Sequence, residues 1–405
     1  MDIFVARQPI FNAKQKVYGY ELLYRSARQD SYQESDGDKA SLAVIRNSLL
    51  IIGPERITGG KKAFVNFTRN LLLNQAAFYL PKEIAVIEIL EDVEMDEQLV
   101  TECKKIKSNG YLLALDDFDL AGNENNPLVP LADIIKVDFR ATTRDQRRAI
   151  ADYTNRFGHL KFLAEKTESR EEFQEGVEDG YAYFQGYFFS KPVIISRKDI
   201  PGYKINYLRI LDELNRVNTD FETIRNVIER DPSLTYKLLQ YINCAFFGFR
   251  HEITSIRQAL VLLGEKEVRK WASLAVLISL GKDQPGELIR VALLRAKFCE
   301  ELASRAGMES QKTELFLMGM FSFMDVFFGR PLDEILQDIP LSANVKDALL
   351  GKTNPHKIVY DAVLSYERGN WEDASQLAMQ LAVDEEQMIA IYSECIEWVE
   401  KTSRL

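Results

Sequence analysis

Histidine and cysteine are scarce in this chain, and their scarcity removes whole classes of chemistry. The three histidines, His159, His251 and His356, stand far apart. No two neighbouring positions can therefore build an imidazole metal site. The four cysteines, Cys103, Cys244, Cys299 and Cys395, show no paired spacing. That excludes a zinc ribbon or a Cys-x-x-Cys redox site and leaves buried, reduced thiols. Long apolar runs are missing too: nothing approaches the roughly 20 residues of a membrane span, and residues 2–8 carry no export signal. Nor is there an excess of positive charge. At a formal net charge of -10, with Lys and Arg scattered among the acids, the chain offers no broad surface for a nucleic acid polymer. These absences describe a cytoplasmic protein that does not enter the membrane.

What is present is organised around Leu112-Leu113-Ala114-Leu115-Asp116-Asp117. An apolar run without helical gaps reads as a strand buried on both faces, and it ends at two adjacent carboxylates. Alone, such a pair caps a helix. At the mouth of a buried sheet it repels itself and calls for a cation.

The 405 residues suit two domains. Residues 4–11 and 16–25 read as a hairpin, followed by a helical pattern over 40–52. Strand-like runs at 63–65, 84–87, 111–115, 134–135, 162–164 and 182–184 then alternate with helical patterns at 69–78, 96–108, 144–157 and 170–178. This alternation builds a parallel sheet, either a closed (β/α)₈ barrel or a doubly wound open sheet. Residues 192–202 separate it from a region of helical periodicity alone, where Asp231-Pro232 and Ser255 start helices and Gly264 stops one. The expected domains are 1–195 and 196–405, the second all-α.

The polar residues near the strand ends are Glu21, Asn66, Glu88, Asp116, Asp117, Lys136, Glu165 and Gln185. In a parallel barrel these ends converge on the face where such barrels do chemistry. Glu21, Asn66, Glu88, Asp116 and Asp117 are hard oxygen ligands suited to one or two Mg²⁺ or Mn²⁺ ions. Two such ions activate a water and stabilise a leaving oxygen in phosphodiester cleavage, with Lys136 fixing the water and Glu165 accepting its proton.

The ordered segments Gln8-Pro9-Ile10, Tyr20-Glu21-Leu22-Leu23-Tyr24-Arg25, Val65-Asn66-Phe67-Thr68, Ile87-Glu88-Ile89-Leu90-Glu91, Leu115-Asp116-Asp117-Phe118, Ile135-Lys136-Val137-Asp138, Ala164-Glu165-Lys166-Thr167-Glu168 and Gln185-Gly186-Tyr187 resemble EAL domains. The resemblance implies a (β/α)₈-type barrel with one antiparallel strand that hydrolyses cyclic di-GMP to pGpG. It makes Glu21, Asn66, Glu88, Asp116 and Asp117 the metal ligands and Lys136 and Glu165 the catalytic pair. Gln8, Arg25 and Gln185 become the substrate-binding residues, and a homodimer is allowed. The chain departs from that pattern at Glu21-Leu22-Leu23. It departs again at Phe118-Asp119-Leu120-Ala121, where both glycines of a loop are gone, and at Glu165-Lys166-Thr167-Glu168. A site with its ligands kept and its loops rebuilt is expected to bind nucleotide with weak or no turnover. An active phosphodiesterase is the alternative.

Residues 221–280 resemble the HDOD domain, a helical relative of HD phosphohydrolases, through Ile228-Glu229-Arg230-Asp231-Pro232-Ser233, Leu238-Leu239-Gln240-Tyr241-Ile242-Asn243 and Ile253-Thr254-Ser255-Ile256. Ser322 and Phe323 stand where that relative has its His-Asp pair, so metal-dependent HD hydrolysis is excluded. The resemblance implies a protein partner instead. His251 and His356 are expected at the surface or in loops. The whole resembles bacterial EAL-HDOD signalling proteins.

Overall fold

The computed structural model describes residues 3–26, 58–120, 125–154, 157–190, 210–212, 216, 221–229, 232–243, 253–281, 284–339 and 341–402. The helix expected at 40–52, the junction at 192–202, Asp231, Cys244 and His251 lie outside them. Two compact units are present, Met1–Lys191 with Ser365–Trp371, and Pro192–Leu364 with Glu372–Leu405.

The first unit is a closed barrel, not an open sheet. Its strands are β1 (Ile3–Asn12), β2 (Val17–Ser26), β3 (Lys62–Phe67), β4 (Ala85–Ile89), β5 (Leu112–Leu115), β6 (Ile134–Asp138), β7 (Lys161–Glu165) and β8 (Tyr183–Gln185). β1 runs antiparallel to both neighbours, pairing Gln8 with Glu21 on β2 and Ile10 with Gln185 on β8. β2 to β8 pair in parallel, in sequence order. The order follows from the hairpin. Its tight turn forces antiparallel pairing, while the helical crossovers α1 (Arg69–Leu73), α2 (Glu97–Ser108), α3 (Arg144–Thr154) and α4 (Arg170–Glu178) permit parallel pairing. The pattern at 69–78 splits into α1 and a 3₁₀ turn (Ala76–Tyr79).

One layer of interior side chains comes from Ile10, Phe64, Val86, Ala114, Ile134, Leu163 and Tyr183, which pack together. Strand side chains alternate with period two. The next inward position toward the mouth is therefore Gln8, Asn66, Glu88, Lys136, Glu165 and Gln185 on the same strands, with Asp116 directly after β5. The apolar layer thus places the polar one.

The described helices after the barrel are α5 (Phe221–Glu229), α6 (Pro232–Ile242), α7 (Ile256–Leu280), α8 (Gly286–Arg305), α9 (Lys312–Phe321), α10 (Met324–Phe328), α11 (Leu332–Asp338), α12 (Ala343–Leu349), α13 (Pro355–Glu367), α14 (Trp371–Gln380) and α15 (Glu385–Thr402); they form the helical unit except for the end of α13 and the first residue of α14, which fall within Ser365–Trp371. Ser255 caps α7 by accepting from the Gln258 N–H. Gly264 ends the first helical segment of α7 as expected: at φ +75° and ψ 161° its backbone is non-helical, and a second segment follows whose buried face carries Val268, Trp271, Ala272 and Ala275. Ile224, Ile228, Leu234 and Leu238 pack against that face. Asn243 ties α6 to the start of α7: its amide donates to the Ile253 carbonyl and its oxygen accepts the Ile253 N–H, each at 2.7 Å.

His356 corrects the reading. It is not a surface or loop residue but lies on α13, 1% exposed, among the buried Val359, Tyr360 and Val363. The helix turns it into the core with its apolar neighbours three and four positions on. Cys103, Cys299 and Cys395 are buried free thiols.

Candidate active site

Lys136 sits in the middle of β6 and is 1% exposed. Its Nζ pairs with the Glu88 carboxylate. It also lies 2.8 Å from Asp116 Oδ1, 2.8 Å from Glu165 Oε1 and 3.8 Å from Glu21 Oε2. Burial alone would lower the lysine pKa, but Glu165, Glu21, Glu88 and Asp116 together outweigh it and hold the ammonium charged. The carboxylates respond in kind. Burial pushes Glu165 up to about 8 despite Lys136, and raises Glu88, which is fully enclosed.

Across the barrel, Gln185 on β8 donates through Nε2 to Gln8 Oε1 at 3.0 Å and to Glu21 Oε2 at 2.5 Å. The antiparallel β1 makes this possible, because it lies between β2 and β8 and brings three strands to one amide. Gln185 Oε1 is buried without a hydrogen-bond partner, an acceptor left for a ligand hydroxyl or N–H. Asn66 lies on β3 in register with Glu88. Arg25 faces Phe4 in the β1–β2 register, but its side chain lies outside the described part of the structure.

The Asp116–Asp117 pair is shaped by its backbone. The Asp116 N–H donates to Ile89 O and the Phe118 N–H to Lys136 O, so the chain is held on both sides. Between them Asp117 adopts φ +39°, which turns two consecutive carboxylates toward the mouth. Burial and the neighbouring Asp116 raise the Asp117 pKa.

Asn66, Glu88 and Lys136 lie inside their strands, one or two residues before the end, rather than after them. The donor set fits a hard divalent ion. Asp116, Asp117 and Glu165 each offer an oxygen within 4.8 Å of the others, and buried Glu88 Oε2 and Asp117 Oδ1 have no hydrogen-bond partner. Glu165, expected as the base, thus also borders the oxygens of the expected ligands.

Two residues at this mouth escaped sequence reasoning. Asp138 is the next inward position on β6 after Lys136, so the period-two rule applied one step further would have found it. Its partner Lys166, whose Nζ is 2.5 Å from Asp138 Oδ2, follows Glu165 in the left-handed region at φ +52°. Nothing local in the sequence announces that turn.

In the helical unit, Ser322 and Phe323 are met by a resident cation. Arg295 Nη1 donates to Ser322 Oγ at 2.8 Å, and its guanidinium lies 4.2 Å from the Phe323 ring centre. Ser322 Oγ donates in turn to the Gly319 carbonyl. Among the described residues, a hydroxyl, a ring and an arginine do not make a ligand set for a metal there.

A profile of the HDOD domain matches residues 200–328. The chain is 41% identical over 406 residues to the uncharacterized protein YuxH of Bacillus subtilis, covering 98% of each. It is 32% identical over 408 residues to the cyclic di-GMP phosphodiesterase CdgJ of Vibrio cholerae, covering 99% of this chain and 93% of that one. Among solved structures, the Bacillus subtilis EAL-domain protein YkuI, in complex with cyclic di-GMP and calcium, is similar at 19% identity and a TM-score of 0.40, covering 56% of this chain and 73% of that one. With a relative of known type aligned from end to end, an EAL-type barrel first and an HDOD domain after it, this chain belongs to the EAL-HDOD family of bacterial signalling proteins.

Proposed function

We propose that this chain is a cyclic di-GMP regulator: residues 1–195 bind the nucleotide together with Mg²⁺ or Mn²⁺ and turn it over weakly or not at all, and residues 196–405 engage a protein partner. The reading includes a cytoplasmic setting and allows a homodimer. The observation that carries it is Lys136, whose ammonium meets four carboxylates of the barrel mouth. Such a cluster suits a charged phosphodiester only with further positive charge beside it.

Glu21, Asn66, Glu88, Asp116 and Asp117 would hold the metal, which supplies Lewis acidity toward a phosphoryl oxygen when bound. The residues divide the remaining work. Gln8 and Gln185 orient one end of the nucleotide from the opposite wall. Lys136 holds a water or a phosphate oxygen. Glu165 takes the proton as water oxygen bonds to phosphorus and the ribose oxygen leaves and is protonated.

Weak turnover is supported by the rebuilt surroundings. Lys166, within the altered Glu165-Lys166-Thr167-Glu168 segment, is a non-glycine residue in left-handed backbone at φ +52° beside the reacting groups. The alternative, an active phosphodiesterase giving pGpG, is favoured by Glu165, whose pKa of about 8 suits a proton acceptor near neutral pH. Calorimetric titration of cyclic di-GMP in Ca²⁺, followed by a Mn²⁺ turnover assay on the same sample, separates them. Binding without product supports the regulator. Rapid pGpG formation supports the enzyme, and no binding removes both.

A further inference from the structure

The backbone around Lys166 is pinned on both sides. The Phe139 N–H donates to Glu165 O at 3.1 Å, and the Thr167 N–H donates to Gln185 O at 3.0 Å. Thr167 is fully buried, and the Phe188 N–H donates to its carbonyl. With its neighbours fixed and its own φ at +52°, Lys166 has its side chain directed over the mouth. Its Nζ reaches 2.5 Å from Asp138 Oδ2 and 3.8 Å from Asp117 Oδ2.

Asp138 has other partners. Its Oδ1 accepts the backbone N–H groups of Arg140 and Ala141 at 2.7 and 3.0 Å, so its charge is already stabilised by the loop. Asp117 has less. Its Oδ1 is buried without a hydrogen-bond partner, and it offers one oxygen to the group with Asp116 and Glu165 that could hold an ion. The ammonium of Lys166 therefore faces the same anionic groups that a divalent cation would take at Asp117.

Resting on the reading that this mouth binds divalent metal, we propose that Lys166 is a tethered cation that competes with a metal ion for Asp117. Lys136 and Lys166 then act differently. The first is enclosed among four carboxylates, while the second is half-exposed on a side chain that can swing away into solvent. An ion at Asp117 binds only by displacing the lysine, and the protein holds one ion tightly and a second weakly.

The test is a Mn²⁺ titration of the full chain, read by the electron paramagnetic resonance signal of free Mn²⁺, for wild type, Lys166→Gln and Lys166→Arg. Glutamine, like lysine an unbranched side chain at this φ, removes the charge. The second, weaker Mn²⁺ should bind about tenfold more tightly in Lys166→Gln, the size of an ordinary coupling between sites. Lys166→Arg should stay near wild type, and adding Asp117→Asn to Lys166→Gln should erase the gain. Equal or weaker second-ion binding in Lys166→Gln, with the first ion unchanged, overturns the competition and leaves the metal site standing. No Mn²⁺ bound by any of these proteins overturns both.

Discussion

The ammonium of Lys136 lies 2.8 Å from Glu165 Oε1, and neither side chain is more than a tenth exposed. This contact joins the expected base to the cation that surrounding carboxylates depend on. Each group bears on the protonation of the other.

Lys136→Met leaves the carboxylates of Glu88, Asp116 and Glu165 in the barrel interior without their counter-charge. Removing one partner of a buried ionic cluster costs about 3–5 kcal/mol. Urea denaturation of the metal-free variant should show a loss of that order. An unchanged midpoint would mean that the acids are neutralised by protons instead.

Glu165→Gln keeps the shape of the side chain and removes its ability to take a proton. Whatever turnover the wild type shows in Mn²⁺ should fall by about 10²-fold or more, the usual contribution of a general base. Cyclic di-GMP affinity in Ca²⁺ should change far less. Full turnover in the variant would assign the proton to another group.

Gly186 holds the strand end that carries Gln185. Its φ is +144°, and a Cβ built on it would lie 2.1 Å from the Thr167 carbonyl oxygen, with the Thr167 backbone nitrogen at 2.5 Å. Gly186→Ala must therefore push apart two backbone segments of the mouth. A drop in melting temperature together with weaker nucleotide binding is expected, and a variant that melts and binds like wild type would show that the loop yields freely.

His356 gives the helical unit a dependence on acid. Burial lowers its pKa below 6.5, only partly offset by Glu314, whose Oε2 lies 3.5 Å from Nε2. With the folded value depressed, the unfolded chain binds the proton first. The contribution is complete above the unfolded pKa of about 6.5 and is lost as pH falls through the folded value, at up to about 1.4 kcal/mol per pH unit. Denaturation midpoints below pH 6.5 should fall less steeply for His356→Leu. Parallel curves would assign the acid sensitivity elsewhere.

Much of the site was legible because strand chemistry is local. A residue two positions beyond an apolar interior residue shares its face, so Phe64 announces Asn66, Val86 announces Glu88 and Ile134 announces Lys136. The same rule reaches Asp138. It does not reach Lys166, whose position depends on a left-handed backbone turn, nor the burial of His356, which depends on what packs over α13.

The sequence by itself determined the alternation that makes the barrel, the helical character of the second unit and the identity of the acids at the mouth. These follow from side-chain periodicity over a few residues. Tertiary structure alone decided which groups meet. Gln185 reaches Gln8 across 177 positions, and Lys136 gathers acids from β2, β4, β7 and the residue after β5 only because the sheet closes on itself. Closure brings together charges that no local pattern relates, and in the dry interior those charges then set one another's protonation.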